Sequence, residues 1–221
     1  MTVFPQCIMP GGAAGGVQNF ISFVSGDAAE SNTLTAPTHK AGDIIFVVAY
    51  REGNSTPPTR PAGYETIYYD TIPNTNSLTI LYKFATSSAE TIGTFTNANA
   101  IAAAVYRGVS QSNPLGADQW GDSTGQVNWN NSDTYQEAVS GSWNVGFGVG
   151  TNGGETVSNF ARTSPVTHTL RASTNTNRWV GIFDSNGPLS SALSAQAISA
   201  GSPGNSWTVE QWVNRNGYVA V

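Results

Sequence analysis

The chain has 221 residues, 39% of them hydrophobic and only 10% charged, with 14 acidic side chains against 9 basic ones and a net charge of −5. An average soluble domain carries roughly 25% charged residues; here Gly, Ser, Thr and Asn take their place, which excludes a coiled coil, a helical bundle and a charge-driven disordered chain. The acidic balance also argues against nucleic acid and anionic membrane as partners, because phosphate binding needs a basic field.

In chain order, the first element is an arm. Residues 1–16 end in Met-Pro-Gly-Gly-Ala-Ala-Gly-Gly, a run that loses too much backbone entropy to order by itself, so a short flexible N-terminal arm is predicted. Met1–Pro10 has neither Lys nor Arg and no long apolar run, and is not expected to be a signal peptide. Cys7 is the only cysteine and leaves no internal disulfide. Short apolar or alternating runs then recur between Gly, Pro, Asn and Ser. They predict strands at Phe20–Val24, Ile44–Tyr50, Tyr64–Tyr69, Ser77–Lys83, Ile101–Arg107, Trp143–Val149, Val166–Arg171, Trp179–Phe183, Trp207–Val213 and Tyr218–Val221. Ile44–Tyr50 is apolar throughout, as in a strand covered on both faces. Ser77–Lys83 alternates, with Leu78, Ile80 and Tyr82 on one side. Ile44, Phe46, Val48 and Tyr82 are expected in the core, and so are Trp143, Trp179, Trp207 and Trp212. Lys83 and Arg178 read as solvated strand ends. Leu189–Ala200 lacks a helical period and reads as strand or loop. No run approaches the ~18 apolar residues of a membrane span, so membrane insertion is not expected.

Many short aromatic and β-branched strands with Gly, Asn and Pro turns predict an all-β fold, an antiparallel β-sandwich of jelly-roll or Greek-key type. A weak internal repeat refines this. Gly42-Asp-Ile-Ile-Phe-Val-Val-Ala-Tyr50 aligns with Gly141-Ser-Trp-Asn-Val-Gly-Phe-Gly-Val149, pairing Ile44 with Trp143, Phe46 with Val145, Val48 with Phe147 and Tyr50 with Val149. The expected organisation is one sandwich domain over residues 17–221, built from two similar halves at about 20–110 and 135–221 that share a core.

Residues able to do chemistry are sparse. His39 and His168 stand apart, without the spacing of a zinc pair, and read as surface or half-buried histidines. No Gly-x-Ser-x-Gly elbow is present, and Cys7 lies in the arm, where nothing would hold a base against it. Asp118 and Asp122, with Asn130, Asn131 and Asp133, supply oxygen atoms of the kind calcium takes, but not in EF-hand spacing; the alternative is a polar loop using Asp and Asn for its turns. Two carboxylates in one loop are also what a glycosidase needs. No catalytic residue, cofactor or metal is assigned. The feature above background is aromatic: Trp120 and Trp129 lie in the polar stretch Gly116–Asp133, read as a loop between the halves. Three roles are open to them: a lid folded on the sandwich, a protein interface, or a platform for sugar rings. With Asp118 and Asp122 they form the candidate binding set.

The stretch Thr35–Val109 resembles a β-sandwich module of tailed-bacteriophage virion structural proteins. The likeness rests on Thr35-Ala-Pro, Ala41-Gly-Asp-Ile-Ile-Phe-Val-Val-Ala-Tyr-Arg51, Arg60-Pro-Ala-Gly-Tyr64, Ser77-Leu-Thr-Ile-Leu-Tyr-Lys-Phe-Ala-Thr86 and Ala103-Ala-Val-Tyr-Arg-Gly-Val109. Such modules usually carry Trp where Tyr64 stands. The resemblance covers about a third of the chain and transfers no catalytic residue. It implies a non-enzymatic virion protein assembled in the host cytoplasm, most readily a tail-fibre or tail-tip component contributing to host attachment. The implied partners are other virion proteins and copies of itself, a trimer included, with a host-surface glycan as a further one. A capsid decoration protein stabilising the head shell is the first alternative and a carbohydrate-binding module the second.

Overall fold

The computed structural model describes residues 20–72, 75–123, 128–129, 141–151, 161–164, 166–189, 193, 196–197 and 206–215. The expected arm over residues 1–16, with Cys7, and the strand expected at Tyr218–Val221 lie outside the described residues.

The described chain is all strand and connection. The elements are β1 (Ser22–Ala29), β2 (Ile44–Glu52), β3 (Glu65–Ile72), β4 (Asn76–Phe84), β5 (Ala100–Arg107), β6 (Leu115–Ser123), β7 (Asn128–Trp129), β8 (Trp143–Thr151), β9 (Thr169–Asn175), β10 (Arg178–Asp184), β11 (Gln196–Ala197) and β12 (Ser206–Val213). Two five-stranded antiparallel sheets pack face to face, one in the order β1-β5-β2-β4-β3 and the other β6-β12-β8-β10-β9. β7 and β11 form a small separate pair. Each large sheet is made from consecutive parts of the chain, so among the described residues the strands do not alternate between sheets as they do in a jelly roll.

The two sheets repeat each other. With β1, β2, β3, β4 and β5 set against β6, β8, β9, β10 and β12, the two orders are the same. β2 and β8 begin at residues that the sequence alignment pairs, Ile44 and Trp143, and both run two residues past its end, to Glu52 and Thr151. The registers agree as well: Ile44 faces Tyr106 in one sheet as Trp143 faces Val213 in the other. Both irregularities recur. A bulge falls between Thr66 and Tyr68 in β3 and at the matching place between Leu170 and Ala172 in β9. Another falls between Phe23 and Ser25 in β1 and at the matching place between Leu115 and Asp118 in β6. Gly42 and Gly141, one turn ahead of β2 and β8, both have positive φ, 87° and 100°, a conformation that a side chain disfavours. The second sheet therefore starts at Leu115, well before residue 135.

Alternation along the strands builds the shared core. Ile44, Phe46, Val48 and Tyr50 of β2 and Ala100, Ala102, Ala104 and Tyr106 of β5 face Val145, Phe147 and Val149 of β8 and Trp207 and Val209 of β12. Phe46 stands edge-on to Phe147 with ring centres 5.9 Å apart, and Tyr50 meets Trp207 at 6.3 Å. Tyr82 is half-buried and packs against this core rather than inside it. One side of the sandwich is tightly closed: β1 packs on β9, and a Cβ at Gly26 would lie 2.6 Å from the Arg171 carbonyl oxygen. At the register position of Gly26, β6 carries Asp118, which is exposed, and β6 and β3 make no comparable contact.

Candidate functional site

The stretch expected as a loop at Gly116–Asp133 is in its first part an edge strand. Asp118, Trp120 and Asp122 lie in β6 and pair in register with Gln211, Val209 and Trp207 of β12. Trp129 lies in β7 opposite Gln196. The expectation of a loop is corrected for a physical reason: Leu-Gly-Ala-Asp-Gln-Trp-Gly-Asp-Ser has weak strand propensity, and β12, a buried strand paired with β8 on its other side, supplies the ladder that orders it. Gln211 adds a side-chain bond, its Nε2 donating to the Gly116 carbonyl oxygen at 2.9 Å. The structure thus spreads Asp118, Trp120 and Asp122 along one extended strand and puts Trp129 in another. Residues 124–127 and 130–133, with Asn130, Asn131 and Asp133, lie outside the described residues.

Both histidines are buried, not surface or half-exposed. His39 is 8% exposed; its Nδ1–H donates to the Pro37 carbonyl oxygen at 2.6 Å, and Nε2 accepts the Glu90 N–H at 3.2 Å. Both ring nitrogens are engaged, so the ring ties two loops together. His168 is 3% exposed, stacks on Phe183 and makes a 2.9 Å bond to Asn144 Oδ1. Burial, helped by the Arg162 guanidinium, pushes its pKa down to about 3, so the ring is neutral at ordinary pH.

His168 belongs to a polar layer that the sequence reading missed. Arg162, fully buried, is forked onto Glu210, with Nε to Oε1 at 2.8 Å and Nη2 to Oε2 at 2.9 Å. Glu210 Oε1 is also 3.9 Å from His168 Nε2. Burial raises the Glu210 pKa, and the Arg162 bonds oppose that rise. Asn144, Thr208, Glu210, Trp212, Trp179 and Phe183 share this outer face of the second sheet, all buried. Trp179 lies on bare backbone, since a Cβ at Gly150 would sit 2.5 Å from its ring. The available signal was Glu210 itself, a lone acid in the aromatic strand Trp207–Val213. The layer holds charge out of reach of solvent, and its chemistry is cohesion: a forked, doubly hydrogen-bonded pair that fixes the cover over the sheet.

Lys83 and Arg178, expected as solvated strand ends, are also engaged. Lys83 Nζ meets Glu90 Oε2 at 2.9 Å and the Thr91 carbonyl oxygen at 2.7 Å. Arg178 bridges from the second sheet to Glu52 at 2.8 Å and Glu30 at 3.8 Å in the first. Glu30 also accepts the backbone N–H groups of Thr176 and Asn177 at 3.1 and 2.6 Å, so both ends of the β9–β10 turn are held by one carboxylate. Among the described residues no group of three or more His, Cys, Asp or Glu is placed to hold a metal ion, and no helix is long and apolar enough to cross a membrane. Comparison with protein-family models, with curated proteins and with solved structures finds no match to this chain.

Proposed function

We propose that this chain is a non-enzymatic structural protein of a bacteriophage particle, a tail-associated component of fibre or tail-tip type that contributes to host attachment. What supports the reading is the place of the residues that carry the resemblance, because they are framework residues. Gly42 makes the turn into β2, and Asp43 is clamped by Arg107 at 2.8 and 2.7 Å. Tyr64 of the Pro-Ala-Gly-Tyr stretch is buried against Phe95, with its hydroxyl donating to the Ile92 carbonyl oxygen at 3.1 Å. A module defined by such residues is a scaffold, and its function lies in the surfaces it presents. In this role the Gly-rich residues 1–16 clip onto a neighbouring subunit, where main-chain contacts offset the entropy cost of ordering them. The protein is assembled in the host cytoplasm and works in the virion.

Gold-labelled antibody against the chain, applied to purified particles, tests this in the electron microscope. Label at the tail end is expected. Label over the head shell would replace attachment with capsid decoration, and particles without label, together with a hit on a glycan array, would point to a free carbohydrate-binding module.

A further inference from the structure

The internal repeat exposes a place that one half fills and the other leaves open. In the second half, the Arg215 side chain lies across Gly141, so that a Cβ there would be 2.4 Å from Arg215 Cδ. In the first half the residue matching Arg215 is Gly108, with φ of 84°. A Cβ on Gly108 would lie 2.4 Å from the Phe20 carbonyl oxygen, so no side chain fits there. Above Gly42, the match of Gly141, an added Cβ would meet only Gln111 Nε2, at 3.2 Å. The result is an open cleft of about 490 Å³ where β1 and β2 begin and β5 ends, bordered by Phe20, Lys40, Asp43, Arg107, Val109 and Gln111. That volume falls in the range of small-ligand sites, roughly 300–1,000 Å³.

The charges in the cleft are unequal. Asp43, with 1% of its side chain exposed, accepts Arg107 Nε and Nη2 and the Lys40 backbone N–H, and so is saturated from within. A guanidinium carries five N–H donors, of which Arg107 uses two on Asp43, and 42% of its side chain is exposed. Lys40 is exposed and has no ion-pair partner among the described residues. At the matching strand ends of the second half Ser142 replaces Asp43 and Asn214 replaces Arg107, their side chains bonding each other at 3.3 Å, and the cation described there, Arg215, is laid across Gly141. Beside these cations stands Phe20, 64% exposed and one of only two large hydrophobic residues so exposed among those described.

We propose that this cleft binds a carboxylate joined to an apolar or aromatic group, with Lys40 and Arg107 holding the carboxylate, Gln111 donating to it and Phe20 and Val109 bordering the apolar part. The source is either a small organic acid or an acidic residue beside an aromatic one in a partner protein. The site does not depend on where the protein sits in a particle. The test is a chemical-shift titration of the ¹⁵N-labelled full chain with 3-phenylpropionate, with its neutral amide, and with the blocked peptide acetyl-Ala-Phe-Glu-Ala-amide. The acid should move the amides of Lys40, Gly42, Arg107, Gly108 and Gln111 in a saturable way, and the neutral amide should not. Lys40→Glu, a change at an exposed residue, should weaken binding of the acid at least tenfold, and Gln111→Ala should weaken it severalfold. A tighter peptide than acid marks a protein segment as the source, and the reverse marks a small acid. Equal shifts from acid and amide, shifts scattered over the surface, or undiminished binding to Lys40→Glu would overturn the proposal.

Discussion

On β2 the outward positions are Ile45, Val47 and Ala49; on β8 the matching positions are Asn144, Gly146 and Gly148. The same holds across the next strand, where Ile101, Ala103 and Val105 of β5 correspond to Thr208, Glu210 and Trp212 of β12. All six of those positions on β5 and β12 are buried. In the first half the cover is apolar: Tyr64, Ile92, Phe95 and Ala98 close over the sheet. In the second it is built on the Arg162–Glu210 fork, His168 and two tryptophans. One strand order, one pair of bulges and one inner core thus tolerate two kinds of outer layer. The inner faces, where both sheets meet, specify the fold, and each outer face is free to vary as long as its groups are satisfied. The two layers differ in how they fail. An apolar layer loses stability in proportion to the area uncovered, about 25 cal/mol per Å². A buried ion pair adds little net stability but is costly to break from one side.

The largest expected effect follows from that asymmetry. Arg162→Met strips the buried Glu210 of its partner, and should cost about 3–5 kcal/mol, seen as a lower urea midpoint. The double change Arg162→Met with Glu210→Leu should recover most of this, bringing the second outer face closer to the first; a double variant as unstable as the single one would show that the pair is not the unit. Next comes Gly150→Ala, which pushes a methyl into the Trp179 ring and should cost about 1–3 kcal/mol by overpacking. The residue matching Gly150 in the first half is Arg51, half-buried, and Arg51→Ala should cost clearly less. Equal losses at the two positions would mean that Trp179 has room to move.

A third comparison lies at the strand ends. Arg107→Asn strips the buried Asp43 of two bonds and should cost on the order of 1–2 kcal/mol. Asp43→Ser should cost less, because Arg107 is half in solvent. Making both changes copies the Ser142–Asn214 pair of the second half and should fall within about 1 kcal/mol of the native protein. Strong additivity of the single losses in a double-mutant cycle would argue that the halves are not interchangeable here.

The last comparison is read only in acid. Tyr64 and His168 occupy matching positions, one before β3 and one before β9. The unfolded chain protonates His168 as pH falls below about 6.5, whereas the folded protein does so only near 3. Stability present at neutral pH is therefore lost as pH drops through that window, by at most about 1.4 kcal/mol per pH unit from this group. His168→Gln should flatten the melting temperature against pH between 6.5 and 4.5. Glu90, held down to about 2 by Thr86 and Lys83, adds an acid loss below its ordinary 4.5 in both proteins, so the difference between them isolates His168. Tyr64→Phe should leave the slope unchanged, because burial raises the Tyr64 phenol, away from this range.

Much of the fold is written in local pattern. The unbroken run Ile44–Tyr50 marks a strand covered on both sides, and the alternation of Leu78, Ile80 and Tyr82 marks its neighbour; both depend only on which residues avoid water. The match of Gly42–Tyr50 with Gly141–Val149 is legible for the same reason, since equal sheets demand equal inward faces. What the sequence by itself does not decide is anything whose partner lies far along the chain. β6 looks like a loop until β12 offers it hydrogen bonds. Glu210 looks like a stray charge until Arg162 reaches it across 48 residues, and Arg178 looks solvated until Glu30 and Glu52 arrive from the other sheet. The cleft beside Lys40 exists only because Gly108 lies under the Phe20 carbonyl. Hydrophobic periodicity is local and survives in one dimension; the pairing of buried charges and of edge strands depends on distances that only the folded chain sets.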